Sequence, residues 1–261
     1  MAEERIIPSE VGPHNIIEYD EHVARYGFAC RFVRKGCVGL DIACGSGYGT
    51  DMLAKKDASK WCGVDVSPEA IAYAAAHYRD ERLEFLRSDA LELKFPPASF
   101  DMIVSFETIE HFERSKAEQF LRSISGLLKE GGSFIISCPN RDTYPKGYAK
   151  NPFHLHEYSF GEISGLLKKY FSRIDVYCQE MRYFKRSYKK MVQFSRHLPA
   201  VITASVTSLA GKKYSRTRDI RKLGRIFRLA LYEYRFGKSV FPFVEDYTAC
   251  KPAFLIFVCK R

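Results

Sequence analysis

Two carboxylates and a histidine stand close together after an apolar segment near the middle of the chain. Glu107, Glu110 and His111 occupy positions i, i+3 and i+4, which share one face if a helix begins there. Carboxylate oxygens and imidazole nitrogens together suit Mg²⁺, Mn²⁺ or Zn²⁺. Alternatively, His111 accepts a proton from a substrate hydroxyl while a glutamate orients its ring. The spacing therefore predicts either a divalent metal site or a general base.

A second group of titratable side chains lies further along the chain. The segment 151–158 reads Asn-Pro-Phe-His-Leu-His-Glu-Tyr and contains His154 and His156 beside an acid. Imidazole is the side chain best suited to proton transfer near neutral pH. We predict that His111 and His154 are the catalytic residues. The alternative is that the Glu110-His111 pair only caps and packs a helix.

The elements that would position this chemistry begin with a buried strand that enters a glycine-rich turn. Residues 38–49 read Val-Gly-Leu-Asp-Ile-Ala-Cys-Gly-Ser-Gly-Tyr-Gly. The glycines at 45, 47 and 49 let the backbone turn tightly and approach a ligand without a side-chain clash. A second strand, 61–66, carries Asp65 twenty residues after Gly45. At that distance a βαβ unit places a carboxylate on the ribose of an adenosine cofactor.

The glycine turn does not match the G-x-G-x-x-G fingerprint of dinucleotide-binding enzymes. It resembles the first motif, D-x-G-x-G-x-G, of the class I S-adenosylmethionine-dependent methyltransferases, with Ala43 in place of the first glycine. An alanine there predicts a backbone outside the left-handed region. The resemblance implies S-adenosylmethionine as the cofactor, and it implies that the cofactor is bound by Asp41, Ala43, Gly45, Gly47, Asp65, Val66, Asp89, Ala90 and Phe106.

Three later segments resemble the same family in order and spacing. Residues 85–90 resemble the third strand and the adenine-binding turn, in which Asp89 would accept a hydrogen bond from the adenine amino group beside the Ala90 N–H. Residues 100–107 resemble the fourth strand, where Phe106 would be part of an apolar wall near the reactive methyl group. Residues 127–137 resemble the helix end, Gly-Gly turn and fifth strand. The resemblance covers residues 36–140.

The E-x-x-E-H pattern with a downstream histidine also resembles two metal-assisted groups within this family. These are the small-RNA 2′-O-methyltransferases and the quinone-pathway O-methyltransferases. The resemblance implies a metal site made by Glu107, Glu110, His111 and His154. A metal there would bind hydroxyl oxygens of the substrate and lower their pKa.

Short apolar segments alternate with segments of helical period along most of the chain. This pattern predicts an α/β fold, a doubly wound Rossmann-like sheet of about seven strands with the last strand antiparallel. Ser67, Pro68 and Glu69 predict the start of a helix that continues to about His77. We expect a helical cover at 1–35, the cofactor-binding core at 36–180, a basic and partly amphipathic helical insertion at 181–250, and the final core strand at 251–261.

The helical cover contains a second resemblance. Residues 21–26 resemble a segment that precedes the glycine turn in bacterial methyltransferases that modify saccharides. The resemblance implies that Arg25 and Tyr26 contact cofactor or substrate. The alternative is a solvated arginine and a packed tyrosine on an ordinary helix.

Charge is distributed unevenly. The chain has 41 basic and 31 acidic residues, and residues 181–240 contain 16 Lys and Arg against Asp219 and Glu233. Such a basic block favours an anionic substrate or peripheral contact with an anionic membrane, and nucleic acid would also satisfy it. A solvated basic face is the alternative. No apolar segment reaches the length of a membrane span, and the acidic N-terminus is unlike a signal peptide.

The eight cysteines form no C-x-x-C pair. They are predicted to be small buried residues in a reducing compartment. We therefore expect a cytoplasmic location, with or without peripheral attachment at the inner membrane face.

These features predict an S-adenosylmethionine-dependent O-methyltransferase that acts on a saccharide or a lipid-linked glycan. The substrate class comes from the resemblance of residues 138–141 and 151–154 to cell-envelope polysaccharide methyltransferases. A quinone or phenolic lipid and an RNA 2′-hydroxyl are the alternative acceptors. An alternative of another class is a binding module that keeps the fold without catalysis. The sequence leaves the oligomeric state open.

Overall fold

The structure is a computed structural model that describes residues 6–12, 16–56, 60–143, 151–179, 240–242 and 253–261. Most of the basic insertion predicted at 181–250 therefore lies outside the described residues. Among the described helices, none has both the length and the apolar character needed to cross a membrane.

The described residues form one mixed sheet in the order β3-β2-β1-β4-β5-β8-β6-β7. Strands β1 to β5 are parallel, and β8 lies antiparallel between β5 and β6. The predicted doubly wound sheet with an antiparallel last strand is confirmed. The strands are β1 (Val38–Ile42), β2 (Lys60–Asp65), β3 (Leu83–Arg87), β4 (Phe100–Phe106), β5 (Leu128–Pro139), β6 (Arg173–Gln179), β7 (Val240–Pro242) and β8 (Phe254–Lys260).

Strand β7 differs from the expected helical insertion. Val240–Pro242 pair antiparallel with Tyr177–Gln179 of β6 and add an eighth strand at the sheet edge. An open strand edge offers unpaired backbone groups, and Val and Phe are residues that favour extended backbone. The helical prediction is therefore wrong for these three residues.

Five α-helices are described, and two of them begin as their capping residues dictate. Ser67 accepts a hydrogen bond from the Ala70 N–H at the start of α3, which confirms the predicted helix at 68–77. Ser159 and Glu162 form a capping box at the start of α5. The helices are α1 (Ile16–Ala29), α2 (Tyr48–Ala54), α3 (Pro68–His77), α4 (Arg114–Leu127) and α5 (Phe160–Leu167).

Hydrophobic side chains cover both faces of the sheet. Successive residues of a strand point to opposite faces, and in β5 Phe134 and Ile136 join one buried cluster while Ile135 joins the other. The first cluster includes Phe120 of α4, and the second includes Tyr26 of α1. Strand order reverses between β1 and β4. In sheets of this kind a ligand binds at the carboxyl ends of the strands beside that reversal, and we call this place the crevice.

Candidate functional site

The turn after β1 contains three residues, at alternate positions, whose backbone has a positive φ. Ala43, Gly45 and Gly47 have φ values of +58°, +55° and +83°. The expectation that Ala43 lies outside the left-handed region is wrong. An alanine in this conformation is strained by about 1–2 kcal/mol because its Cβ crowds the following carbonyl oxygen. The turn keeps the shape that a glycine would allow, at a cost in stability.

The glycines of the turn have different reasons to be glycine. A Cβ on Gly45 would meet nothing within 4 Å. A Cβ on Gly47 would lie 2.6 Å from the Ala74 Cβ, and one on Gly49 would lie 2.0 Å from the Tyr26 ring. The backbone is therefore open to the crevice at Gly45. At Gly47 and Gly49, close packing against helices explains the glycine.

Asp41 is enclosed below this turn. Its side chain is fully buried, and it accepts hydrogen bonds from the Thr50 hydroxyl at 2.7 Å and the Tyr26 hydroxyl at 3.2 Å. Burial raises the pKa of Asp41 to about 7, against the two hydrogen bonds, which lower it. The carboxyl group thus joins β1, α1 and α2. The sequence predicts that Asp41 binds the cofactor. The structure instead places its carboxyl group beneath the turn.

Asp65 connects the ends of β1 and β2. Its Oδ2 accepts the Gly45 N–H at 2.9 Å, and its Oδ1 accepts the Ser67 N–H at 2.9 Å. Val66, which follows the end of β2, is 42% exposed. The structure thus brings Gly45, Asp65 and Val66 together at one edge of the crevice.

The turn after β3 lies beside Asp65. The Asp65 carbonyl accepts the Ser88 N–H at 3.0 Å, so the next residues begin at the same sheet edge. Asp89 is exposed, and its Oδ1 accepts the Leu91 N–H at 2.9 Å. Ala90 is half-buried against the core. Asp89 and Ala90 therefore lie at the end of β3, next to the Asp65 turn.

Phe106 does not line the crevice with its ring. The side chain is 4% exposed, and its ring packs edge-on against Tyr26 with centroids 5.0 Å apart. A residue at the end of a strand points to one face of the sheet, and here that face is covered by α1. The predicted apolar wall is therefore wrong for this ring, and any contact of Phe106 with a cofactor is limited to its backbone.

Glu107 is separated from the other proposed metal ligands. Its φ is +52°, which prevents a helix from beginning there, and residues 109–111 form only one turn of 3-10 helix. Its Oε1 accepts the Ser137 hydroxyl at 2.6 Å and lies 3.8 Å from Nη1 of Arg25. The expected shared helix face is therefore wrong. Among the described residues, the carboxylate and histidine cluster does not include Glu107.

The cluster that does form consists of Glu110, His111 and His154. One ligand atom of each lies within 4.8 Å of the others. Nδ1 of His111 lies 3.0 Å from the Phe153 carbonyl, and because a carbonyl only accepts, Nδ1 carries the hydrogen. In the neutral ring Nε2 then carries the lone pair. The two imidazole rings meet edge-on, with centroids 5.2 Å apart.

Two residues that sequence reasoning did not select hold His154. Its Nδ1 lies 3.2 Å from Oε1 of Glu157, and its Nε2 lies 3.1 Å from Nδ2 of Asn151. Glu157 is 8% exposed, so the contact with His154 is sheltered from water. Both belong to the segment 151–158. The acid three residues after His154 is the sequence signal that could have indicated this contact. Both ring nitrogens of His154 are therefore engaged by residues of its own segment.

The structure shows the burial of the two α1 residues for which ligand contact was one alternative. Arg25 is 1% exposed and Tyr26 is 4% exposed, so Arg25 is buried and not solvated, while Tyr26 is packed as its alternative expected. Six of the seven described cysteines are buried. Their prediction as buried core residues is confirmed for those six, while Cys30 is partly exposed.

The crevice fits the adenosine end of S-adenosylmethionine. It offers an unobstructed backbone at Gly45, a carboxylate at the end of β2 and an exposed apolar side chain at Val66. These are the features that accept a ribose and an adenine ring in nucleotide-binding α/β sheets. Asp89 stands at the adjoining turn.

Comparison with known proteins agrees with this geometry. Residues 40–132 match a family of methyltransferase domains. A probable S-adenosylmethionine-dependent methyltransferase of Mycolicibacterium smegmatis is 35% identical over 137 residues, 51% of this chain and 51% of that protein. A ubiquinone biosynthesis O-methyltransferase of Azorhizobium caulinodans is 32% identical over 126 residues, 47% of this chain and 49% of that protein. The chain thus spans about half the length of these relatives.

A solved structure extends the similarity of fold to nearly the whole chain. A SAM-dependent methyltransferase from Archaeoglobus fulgidus superposes with a TM-score of 0.58 at 17% identity, covering 96% of this chain and all of that one. At this level of identity the similarity establishes the fold alone.

Proposed function

The chain contains a class I S-adenosylmethionine-dependent methyltransferase domain, and from that premise we propose that it transfers the methyl group of S-adenosylmethionine to a substrate hydroxyl. The observation that carries the proposal is the pairing of two features along one sheet edge. Asp65 and the open Gly45 backbone lie at the end that suits a nucleoside, and an oriented imidazole, His111, follows β4.

The cofactor would be held at the nucleoside end by this chain's own groups. Asp65 faces the ribose, Val66 packs against the adenine, and Asp89 accepts a hydrogen bond from the adenine amino group. When bound, S-adenosylmethionine supplies an electrophilic methyl group on a sulfonium sulfur. Asp41 and Ala43 act indirectly, by stabilising the conformation of the turn. Asp41 lies beneath the turn, and Ala43 is part of it.

His111 is the proposed general base. Because the Phe153 carbonyl fixes the hydrogen on Nδ1, Nε2 is the nitrogen that can accept the hydroxyl proton of the acceptor. Proton acceptance matters for an oxygen nucleophile, since a neutral hydroxyl is a weak nucleophile. His154, held by Glu157 and Asn151, supports the ring edge-on.

A divalent metal on Glu110, His111 and His154 is the second mechanism to test. The three residues supply the mixed oxygen and nitrogen ligands that Mg²⁺, Mn²⁺ or Zn²⁺ accept. Binding through Nε2 of His154 would require the contact with Asn151 to break, which favours the metal-free base. A bound metal would lower the pKa of the acceptor hydroxyl.

The acceptor that we propose is a saccharide or lipid-linked glycan hydroxyl. Leu155, between the two histidines of the 151–158 segment, is 56% exposed and offers an apolar contact to a lipid-linked acceptor. The basic insertion suits phosphate groups of such a substrate or of an anionic membrane surface. A cytoplasmic location with peripheral attachment at the inner membrane face agrees with that use. A quinone or phenolic lipid is the second candidate, because one relative is named for ubiquinone biosynthesis.

An acceptor panel with labelled cofactor tests the proposed reaction. Full-length protein is incubated with methyl-labelled S-adenosylmethionine and a polyprenyl-linked glycan, a free saccharide, a quinone precursor phenol, or RNA, with and without EDTA. Label on the glycan that persists in EDTA supports the proposal. Label on the phenol or RNA alone rejects the glycan acceptor, and loss of all transfer in EDTA with metal restored favours the metal mechanism.

Binding experiments separate the partners of the basic insertion. Saturable binding to anionic liposomes that is lost when residues 198–234 are deleted supports membrane contact. RNA binding that weakens steeply with salt would instead support a nucleic-acid acceptor. If the protein binds neither cofactor nor acceptor, the result would favour the alternative of a fold that serves binding or scaffolding of other molecules without catalysis.

A further inference from the structure

Glu107 is fixed in place at the end of β4, although among the described residues it belongs to no cluster of metal-ligating side chains. Its backbone is left-handed at φ +52°. The Ser137 carbonyl accepts the Glu107 N–H at 3.2 Å, and the Ser137 hydroxyl donates to Glu107 Oε1 at 2.6 Å. A strained residue of this kind persists where its surroundings fix it, and such residues cluster at functional sites. The neighbouring strand therefore determines where this carboxylate lies.

A buried arginine stands behind the carboxylate. Nη1 of Arg25 lies 3.8 Å from Glu107 Oε1 and donates to Oε1 of Gln179 at 2.9 Å, and the guanidinium lies 4.4 Å above the Phe254 ring. The Arg25 side chain is 1% exposed, whereas that of Glu107 is 15% exposed. The Glu107 carboxylate is consequently the partner that reaches solvent, and the Arg25 guanidinium is enclosed.

The other carboxylates near the end of β4 are less accessible. Asp41 and Glu110 are both fully buried. Glu107 follows β4 directly, and β4 borders the point where strand order reverses. It is therefore the accessible negative charge that the described residues place beside the crevice at this strand.

The order of the strands indicates which part of the cofactor Glu107 would face. Strands β2, β1 and β4 are neighbours in that order. If the ribose lies at Asp65, after β2, its sulfur substituent would face the ends of the next strands in that order, β1 and β4. The group that changes charge in the reaction is this sulfur, a sulfonium cation in S-adenosylmethionine and a neutral thioether in S-adenosylhomocysteine.

We infer that Glu107 is a specificity-determining residue that favours the sulfonium cofactor over the neutral product. The inference rests on the proposed function, since it needs the cofactor in the crevice. A carboxylate several ångströms from a cation in a partly buried site changes an affinity by about five- to twentyfold, and it gives no such attraction to a thioether. The residue thereby assists release of S-adenosylhomocysteine after methyl transfer.

Calorimetric titration with both ligands tests this inference without any acceptor. The dissociation constants for S-adenosylmethionine and S-adenosylhomocysteine are measured for the wild type, for Glu107→Gln and for Glu107→Asp, which retains the charge. We expect Glu107→Gln to reduce the preference for S-adenosylmethionine about five- to tenfold, mainly through weaker binding of the cation. Glu107→Asp should keep most of the preference.

A matched control is Glu130→Gln, an exposed acid at the opposite, amino-terminal end of the sheet. It should leave the ratio of the two constants unchanged. An unchanged ratio in folded Glu107→Gln overturns the inference. So does a wild type that binds S-adenosylhomocysteine more tightly than S-adenosylmethionine, a result that does not depend on any variant folding. Failure of the wild type to bind either ligand would instead contradict the proposed function.

Discussion

The two ends of the crevice are built in different ways. At the nucleoside end, Asp65 and Gly45 lie twenty residues apart in one βαβ unit and are joined by a direct hydrogen bond. At the histidine end, His111 is oriented by the Phe153 carbonyl, 42 residues later and on a separate loop. The first end depends on backbone conformation near one turn, and the second on the packing of a distant segment. Substitutions should therefore separate cofactor binding from chemistry.

The largest effect is expected at the histidine end. His111→Ala removes the proposed proton acceptor and should reduce the rate of methyl transfer by about 10²- to 10⁴-fold. Affinity for S-adenosylhomocysteine should stay within about twofold, since His111 does not belong to the nucleoside end. The rate is measured with the acceptor that the panel identifies.

A matched control for this variant is His77→Ala, whose ring contacts its own helix α3. It should leave the rate unchanged. Equal loss of rate in both variants would show that the effect of His111→Ala is not specific to the histidine end.

Asp65→Ala should have the next largest effect, at the nucleoside end. It removes the acceptor for the Gly45 and Ser67 N–H groups as well as the proposed ribose contact. Charge-assisted hydrogen bonds of this kind contribute about 1.5–3 kcal/mol each, so affinity for S-adenosylhomocysteine should fall about 100-fold in calorimetry. Asp175→Ala, at a part-exposed acid on β6, serves as the control. Unchanged affinity of Asp65→Ala would mean that the cofactor lies elsewhere.

Alanine substitutions in the turn distinguish a glycine required by packing, Gly49, from a glycine that leaves room for a ligand, Gly45. Gly49→Ala places a Cβ 2.0 Å from the Tyr26 ring and should lower the free energy of unfolding by about 1–3 kcal/mol. Gly45→Ala meets no neighbouring atom, but an alanine at φ +55° is strained by about 1–2 kcal/mol, and the variant should in addition bind S-adenosylhomocysteine more weakly. Thermal and denaturant unfolding are compared with Gly27→Ala, a helical position with open space around it. Equal affinity of the folded Gly45→Ala and Gly49→Ala variants for S-adenosylhomocysteine would refute this distinction.

The smallest expected effect is a gain in the free energy of unfolding. Ala43→Gly relieves the left-handed backbone at φ +58° and should raise the free energy of unfolding by up to about 1 kcal/mol, the strain relieved less the greater freedom of glycine in the unfolded chain. Ala75→Gly, at an exposed position inside α3, should instead lose about 1 kcal/mol. Chemical denaturation measures both, and a loss at position 43 would contradict the strain.

The sequence predicted that Gly45 and Asp65 lie together because the determinants of that contact are local. The strand, the turn and Asp65 lie within one βαβ unit, where spacing dictates which groups meet. It did not reveal that Asp41 would be buried under the turn or that Ala43 would be left-handed. The enclosure of Asp41 depends on α1, whose Tyr26 hydroxyl donates to the carboxylate from outside that unit.

The histidine end was predicted only in part. His111 and His154 come together as expected, but Glu107 does not join them, because its backbone is held left-handed by Ser137 of β5. A helical spacing rule applies only if a helix forms, and the residues after β4 form a single 3-10 turn. The support of His154 by Asn151 and Glu157 depends on the fold of a loop, which periodicity does not encode.

Calorimetric titration of the full-length protein with S-adenosylhomocysteine, with metal analysis of the same sample before and after EDTA, tests the central claim most directly. We predict one-to-one binding that EDTA leaves unchanged and that Asp65→Ala weakens about 100-fold. A wild type that does not bind S-adenosylhomocysteine would contradict the assignment of the crevice as a cofactor site, and with it the proposed methyl transfer.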